Sequence, residues 1–438
     1  MDKIEAEKYV YQSYLNFEKK SDYLKKDCFK RNPELTRKLL REKSKTPCVV
    51  VTGSKGKGSV SNIISNILAV KYRIGLMTSP HIKDFCERFK INGEKINEDD
   101  FVEYMGRVKE EIEVLNQNVL STTYISPIGI QADLALQYFY EKQTDFNIFE
   151  CGKGAKYDDV NNIVHDYAII NTIFLEHTRE LGDSLEEIAA DKACVINGEQ
   201  KCVYIAEQKE NVMNIIKTRA ERYSTKIKIY GRDFWAENIH FTNQGMIFDA
   251  IIEKEKYCNI NIPLLGEHQV KNCVLAMTLC KDILKEIDIN KLKENLECIK
   301  CEGRLEIISK NPFIILDACI NRESCLQVKK ILKEMGIDEI VAIIGIPCDK
   351  DFKGVINEIE NITSHLIMTK SSNPHYIFPE KEYICREYLN RKFDWENSVE
   401  KAIVTAEKYK KPIVILGTTS IISDVKNAKI LSKYYKNT

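Results

Sequence analysis

The chain has no surplus charge of either sign: 65 lysines and arginines face 65 aspartates and glutamates across 438 residues. That balance excludes a surface uniformly attractive to nucleic acid or acidic membranes and leaves only local patches. No uncharged run approaches the roughly 18 residues that a bilayer span requires. The N-terminus, MDKIEAEKYVYQSY, lacks the apolar stretch of a secretion signal. There is no internal repeat and no low-complexity tract. Regular cysteine spacing is missing too. The fifteen cysteines are odd in number and scattered, which fits a reducing cytoplasm better than a disulfide framework. Cys298 and Cys301 form one C-x-x-C without a second pair at zinc-ribbon spacing, so ordinary thiols are the simpler reading. The lysine-rich stretches Lys19–Lys30 and Lys281–Lys300 are mixed in sign and read as solvated helix faces.

What is present is enough apolar material, 44% of residues, for more than one core. The length predicts two domains, or three. From about residue 47 to 230, strand-like runs alternate with helical ones, the pattern of an α/β protein with a parallel sheet. The strands are expected at Val49–Thr52, Ile74–Met77, Phe146–Glu150, Ala168–Thr172 and Cys202–Ile205. The helices fall at Ser59–Val70, Asp99–Leu115, Gln131–Glu141, Leu185–Ile196 and Asn211–Arg222. Residues 225–262 carry short alternating runs, KIKIYG and NINIPL, that read as antiparallel strands attached to the sheet. A helix over Glu267–Leu284 follows. A second α/β pattern begins after Gly303, with strands at Phe313–Leu316, Ile340–Ile344, His365–Met368 and Ile413–Leu416. The division expected is therefore 1–297 and 298–438.

Val49 to Val60 reads VVVTGSKGKGSV, an apolar run that empties into a glycine-lysine loop opening a helix. Gly53, Gly56 and Gly58 allow a sharp turn that brings backbone N–H groups to an anion. Lys57 adds a charge near outer phosphates, and Ser59 a hydroxyl at the helix start. The spelling is irregular, because Gly58 separates Lys57 from Ser59, and a bare glycine turn is the bland alternative. Three further polar segments lie where strands should end, the place where open α/β sheets bind ligands. They are Thr78-Ser79-Pro80-His81, Glu150-Cys-Gly-Lys-Gly, and Leu175-Glu-His-Thr178 continuing to Asp191-Lys-Ala193. A serine hydroxyl, a carboxylate and an imidazole can together hold Mg²⁺ against phosphates. Taken singly, His177 reads more simply as a hydrogen-bonded strand-end histidine and Asp183 as a helix N-cap.

Together these segments resemble the Mur ligase superfamily, in its folylpolyglutamate synthase and dihydrofolate synthase branch. TGSKGKGS is similar to that branch's TGTNGKGS, with Lys55 for asparagine, and MTSPHIKDFCERFKINGEKI to its TSPHL…F.ERI.ING..I. NTIFLEHTRELGDSLEEIAADKA, LLGEHQVKNCVLAM, GRLEII, LDACIN, IIGIPCDKDF and ILGTTSIISDV continue the likeness in order. The resemblance implies a P-loop ATPase-type parallel-sheet domain with a small antiparallel subsheet, followed by a Rossmann-like α/β domain. It implies that Gly53, Ser54, Gly56, Lys57, Gly58 and Ser59 wrap the phosphates of ATP. It gives Ser79, Glu150 and His177 to Mg²⁺, and Lys57, His177 and Lys192 to catalysis. Lys192 matches a lysine that many members carbamylate, turning a cation into a carboxylate for a second Mg²⁺; otherwise it reads as a salt bridge. Asn272 matches an adenine contact, and Arg304 and Asp317 match residues that close over the nucleotide. The implied reaction is ATP-dependent amide formation through an acyl phosphate, by a monomer acting on a small acid and an amino acid or other amine.

The departures from the family cluster around its substrates. DGAHNP becomes Asp317-Ala-Cys-Ile-Asn-Arg322, and a phenylalanine-glutamate pair becomes Ile128-Gly129. G.GGRLDATN becomes Gly152-Lys-Gly-Ala-Lys-Tyr-Asp-Asp-Val-Asn161, and P-R-A becomes Pro374-His375-Tyr376. Ile320 would leave a polar substrate group unpaired, at about 1–3 kcal/mol. Three readings follow: a folate-type synthetase adding glutamate, the same ligase chemistry on a different acid and amine, and a non-catalytic nucleotide-binding scaffold.

Overall fold

Three sheets organise the chain in a computed structural model that describes residues 1–20, 33–117, 124–242, 244–387 and 393–430. The first has eight strands: β1 (Cys48–Thr52), β2 (Ile74–Met77), β3 (Phe89–Ile91), β4 (Glu94–Lys95), β5 (Phe146–Glu150), β6 (Tyr167–Ile170), β7 (Cys202–Ile205) and β8 (Ile227–Ile229). Their order is β4-β3-β2-β5-β1-β6-β7-β8. β1 lies between β5 and β6, parallel to both. Its five residues are all buried. Val49 and Val51 enter one apolar cluster while Cys48 and Val50 enter the other, because successive side chains leave a strand on opposite faces. A strand covered on both faces must be apolar throughout, which is why CVVVT shows no alternation.

The second sheet is antiparallel, with β9 (Phe234–Thr242), β10 (Gly245–Ile252) and β11 (Glu255–Ile262) in the order β11-β10-β9. Its inner residues Phe234, Phe248 and Ile260 share a core with Val274 and Met277 of the helix Glu267–Leu284. The third sheet contains β12 (Glu306–Lys310), β13 (Phe313–Asp317), β14 (Ile340–Gly345), β15 (Thr363–Thr369), β16 (Phe393–Glu396) and β17 (Ile413–Gly417). It runs β12-β13-β17-β14-β15-β16 and is parallel except at β12. This is the expected α/β class: a parallel sheet with an antiparallel subsheet, then a second α/β sheet.

Several elements differ from the sequence expectation. The run KIKI does not join the antiparallel sheet; β8 pairs parallel with β7 and ends the large sheet. Its alternation misleads because Lys228 is buried, its ammonium 2.7 Å from Asp282 and 2.6 Å from Glu253. The opposite edge, β3–β4, is a hairpin on Asn92-Gly93, both at positive φ (49° and 84°). Asn-Gly is the usual signal for such a turn. β6 stops at Ile170, so Asn171 and Thr172 leave the sheet. The N-cap of the helix Leu185–Lys192 is Ser184 rather than Asp183: Ser184 and Glu187 form a reciprocal capping box. Beyond Lys192 the expected helix tightens into a 3₁₀ turn, Ala193–Val195. Lys281 is not solvated, being 12% exposed and paired with Glu255 at 2.9 Å. Lys19–Lys30 lies almost wholly outside the described residues. No helix among those described is long and apolar enough to cross a membrane.

Candidate functional site

The loop between β1 and the helix Lys57–Leu68 is pinned from beneath by the chain that leaves β6. Ser54 donates its N–H to the Thr172 carbonyl at 3.0 Å, and its hydroxyl donates to the Phe174 carbonyl at 3.1 Å. Gly56 has φ 79°, and a β-carbon there would stand 2.6 Å from the Asn171 amide and 3.0 Å from Asn272. Gly53, at φ 140°, is as tightly placed against Asn171. The helix begins at Lys57 with no side-chain cap, and the first N–H groups of a helix are suited to an anion.

Two lysines converge on one oxygen. Lys57 donates to the Gly53 carbonyl at 3.1 Å, and Lys192 donates to the same carbonyl at 2.9 Å. Lys192 is 1% exposed and also pairs with Glu176 at 3.1 Å. Burial, and then the neighbouring Lys57, push the Lys192 ammonium below the ordinary lysine range. The salt-bridge alternative for Lys192 is therefore what the unmodified side chain forms, with a partner from the preceding loop rather than from its own helix.

Glu150 ends β5 and is 4% exposed; its carboxylate accepts the Ser79 N–H at 3.0 Å. Burial raises its pKa, opposed by Lys57 and the Ser79 hydrogen bond. A β-carbon on Gly58 would stand in ordinary contact with this carboxylate, at 3.5 Å, so the extra glycine after Lys57 lies directly beside Glu150. His177 is not a strand-end residue. It sits in the left-handed region (φ 47°) at the start of the short helix Thr178–Leu181, 3.9 Å from Glu176. Burial, with Lys153 and Lys350 nearby, pulls its pKa down to about 2, leaving a neutral imidazole. Ser79 and Glu150 are thus joined directly, while His177 stands on a separate loop. Among the described residues no three His, Cys, Asp or Glu side chains surround a point that could hold a metal. Closed cages suit Ca²⁺ or Zn²⁺. A single carboxylate, that of Glu150, next to Ser79 and beside Gly58 is a sparse donor set of the kind that suits Mg²⁺, which takes few protein ligands and keeps phosphates and waters.

Beside the loop lies a cavity of about 230 Å³ that draws its walls from both halves of the chain. Gly56 and Asn272 come from the first half, Arg304 and Asp317 from the second. These are four of the nucleotide-site residues expected from the sequence. Asp317 is held in place by accepting the Leu305 N–H at 2.8 Å. A chain of amides fixes Asn272. Asn171 donates to it at 2.9 Å, it donates to Gln269 at 3.1 Å, and Gln269 donates to the Ser59 hydroxyl at 3.4 Å. Sequence reasoning missed Asn171, Phe174 and His268 on these walls. The Nδ1 atom of His268 is buried without a hydrogen-bond partner, and burial lowers its pKa to about 3. Its signal was the histidine of LLGEHQVKN.

The departing residues are scattered. Ile320 is half-buried on the loop after β13, and His375 is exposed in a turn where it donates its N–H to the Asn373 side chain at 3.0 Å. Gly129, in the first turn of the helix Pro127–Glu141, faces the buried Asp159, whose Cγ would lie 2.9 Å from any β-carbon at 129. Asp159 stands where the family pattern has alanine and accepts hydrogen bonds from Thr36 and Ser126. The carboxylate deleted at 129 is thus matched by one entering the same space from another segment.

The Mur ligase middle domain matches residues 51–280 of this chain. A dihydrofolate synthase/folylpolyglutamate synthase of Bacillus subtilis is 27% identical, over 90% of this chain and 93% of its own. A folylpolyglutamate synthase of Lacticaseibacillus casei is 26% identical, over 87% and 90%. Among solved structures, a Mycobacterium tuberculosis folylpolyglutamate synthase complexed with ADP aligns with TM-score 0.84 and 21% identity, over 98% of this chain and 99% of that one.

Proposed function

Because the chain belongs to the Mur ligase family, we propose that it is an ATP-dependent carboxylate–amine ligase of the folylpolyglutamate/dihydrofolate synthase type. The observation that carries this is the cavity where Gly56 and Asn272 meet Arg304 and Asp317 beside an uncapped, lysine-bearing helix start. Residues 1–297 and 298–438 act as its two domains, with 297–303 as the hinge between them, and the enzyme works as a cytoplasmic monomer.

Gly53, Ser54, Gly56, Gly58 and Ser59 take the phosphate chain on backbone N–H groups and the helix start, and Asn272 meets the adenine. Lys57 leaves the Gly53 carbonyl to offset charge on the transferring phosphoryl group. Ser79, Glu150 and His177 are the groups that would hold Mg²⁺, which when bound offsets phosphate charge. The acid's carboxylate attacks the γ-phosphate, giving an acyl phosphate and ADP. The amine then attacks the acyl carbon, and the amide and phosphate are released. Closure of Arg304 and Asp317 over the nucleotide keeps water from the acyl phosphate. Lys192 is the candidate for carbamylation, which intact-protein mass spectrometry in bicarbonate would register as one added CO₂.

The test is ADP release over a panel of acids and amines. Dihydropteroate or a reduced folate with glutamate is expected to give ADP and the amide together. Turnover only on another acid and amine would replace the folate reading by the second one, to which the altered Gly129, Ile320 and His375 give a physical basis. No turnover on any pair, with ATP still bound, would favour a scaffold. A second expectation concerns the metal. Glu150→Gln keeps an acceptor for the Ser79 N–H but removes the charge. It should lower turnover about a hundredfold or more and shift the Mg²⁺ titration to higher concentration. An unchanged titration would remove Glu150 from the metal site.

A further inference from the structure

Lys55 is the residue by which the phosphate loop itself departs from the family's asparagine, and it is absent from the set of roles given above. It stands between Ser54, fixed to Thr172 and Phe174, and Gly56 at φ 79°, so the loop dictates where its side chain leaves. That direction is across the cleft. Its ammonium donates to the Ser324 hydroxyl, on the first turn of the helix Arg322–Glu334 in the second half of the chain. Ser324 is itself held, its N–H and hydroxyl both donating to Asn321 at 2.9 Å and 2.6 Å. Lys55 and Ser324 both line the 230 Å³ cavity, together with Gly56, Arg304 and Asp317.

An ammonium has three N–H donors, and a neutral hydroxyl satisfies one of them without offsetting the charge. Burial presses the Lys55 charge downward, with Asp317 acting in the opposite direction and Arg304 adding to the pressure. A half-buried cation with a neutral direct partner, on a phosphate-type loop and on the wall of a cavity, has its charge matched once an anion enters. An asparagine at this position could neither carry that charge nor reach so far.

We propose that Lys55 is a second phosphate-binding lysine, which couples the arrival of the nucleotide's phosphates to the docking of the helix Arg322–Glu334 through Ser324. This rests on the ligase reading. Asparagine-bearing relatives would lack the coupling, so in this chain the loop's own side chain reports occupancy to the second half.

Lys55→Met keeps most of the stem and removes the ammonium. Calorimetry with ADP and with adenosine as separate probes is expected to show ADP weakened about tenfold and adenosine changed less than about twofold. ADP-induced protection of the 297–303 linker from limited proteolysis should be lost in Lys55→Met and reduced in Ser324→Ala. Lys330→Ala serves as the control. It breaks an exposed pair with Glu267, 2.6 Å apart, across the same boundary but outside the cavity, and should leave ADP affinity unchanged. Equal ADP affinity in Lys55→Met and the wild type would overturn the proposal. So would equal losses of ADP and adenosine, or an ADP loss in Lys330→Ala as large as in Lys55→Met. Wild-type protein that binds neither ADP nor ATP would defeat the ligase reading itself and this proposal with it.

Discussion

Lys57→Ala is expected to lower ATP turnover by about 10²–10³-fold while the protein stays folded. Lys57 stands at the first position of the helix, half-buried, and its described hydrogen bond goes to a carbonyl of its own loop. Removing it costs the fold about one charge-assisted hydrogen bond, roughly 1.5–3 kcal/mol. The reaction loses the point charge at the helix start, which Lys192, paired with Glu176, does not replace. Arginine is not an equivalent, because its planar fork cannot occupy the compact site of an ammonium. ADP release, measured beside a thermal melt, checks both halves of this expectation. Turnover at the wild-type rate would sink the mechanism.

Restoring the family's glutamate with Gly129→Glu is expected to destabilise the protein by about 3 kcal/mol or more, and Asp159→Ala in the same chain to recover most of it. The β-carbon alone would lie 2.9 Å from the Asp159 Cγ, closer than such contacts allow. Overpacking of this kind costs about 1–3 kcal/mol before the charge is counted. A second carboxylate beside one that is 2% exposed adds like-charge repulsion in a poorly solvated place. Thermal melts of the two single variants and the double variant make the test a cycle. The two losses should be strongly non-additive, the double variant melting above Gly129→Glu. Simple addition would mean that 129 and 159 do not share one space.

The most legible part of the molecule was the part with the fewest alternatives. An apolar five-residue run, three glycines and a lysine can hardly form anything but β1, its loop and a helix start. The elements misread were those where tertiary partners overrule local pattern. Ile227-Lys-Ile looks half-exposed until Asp282 and Glu253 bury the lysine's charge. Asp183 is an acceptable cap, but Ser184 has Glu187 three residues on and therefore wins both hydrogen bonds of the box. Asn92-Gly93 was a hairpin signal hidden inside a motif. In the site, Asn272, Arg304 and Asp317 were named only through resemblance, because no spacing rule brings residues 45 apart to one cavity. Asn171 and Lys55 needed the structure. One matters because a strand ends two residues early, the other because a helix of the second half lies within reach of its side chain.

The carbonyl of Gly53 has two lone pairs, and in the resting protein each has a lysine on it. In the ligase reading this bears on how the product leaves. Lys57 exchanges one acceptor for another when a phosphate arrives, so the net affinity is the difference between two bonds. When ADP departs, the lysine has an acceptor to return to and no stranded charge holds the product back. The loop gives up some tightness of grip and gains a faster exit, the better compromise for a catalyst that must empty its site in every cycle.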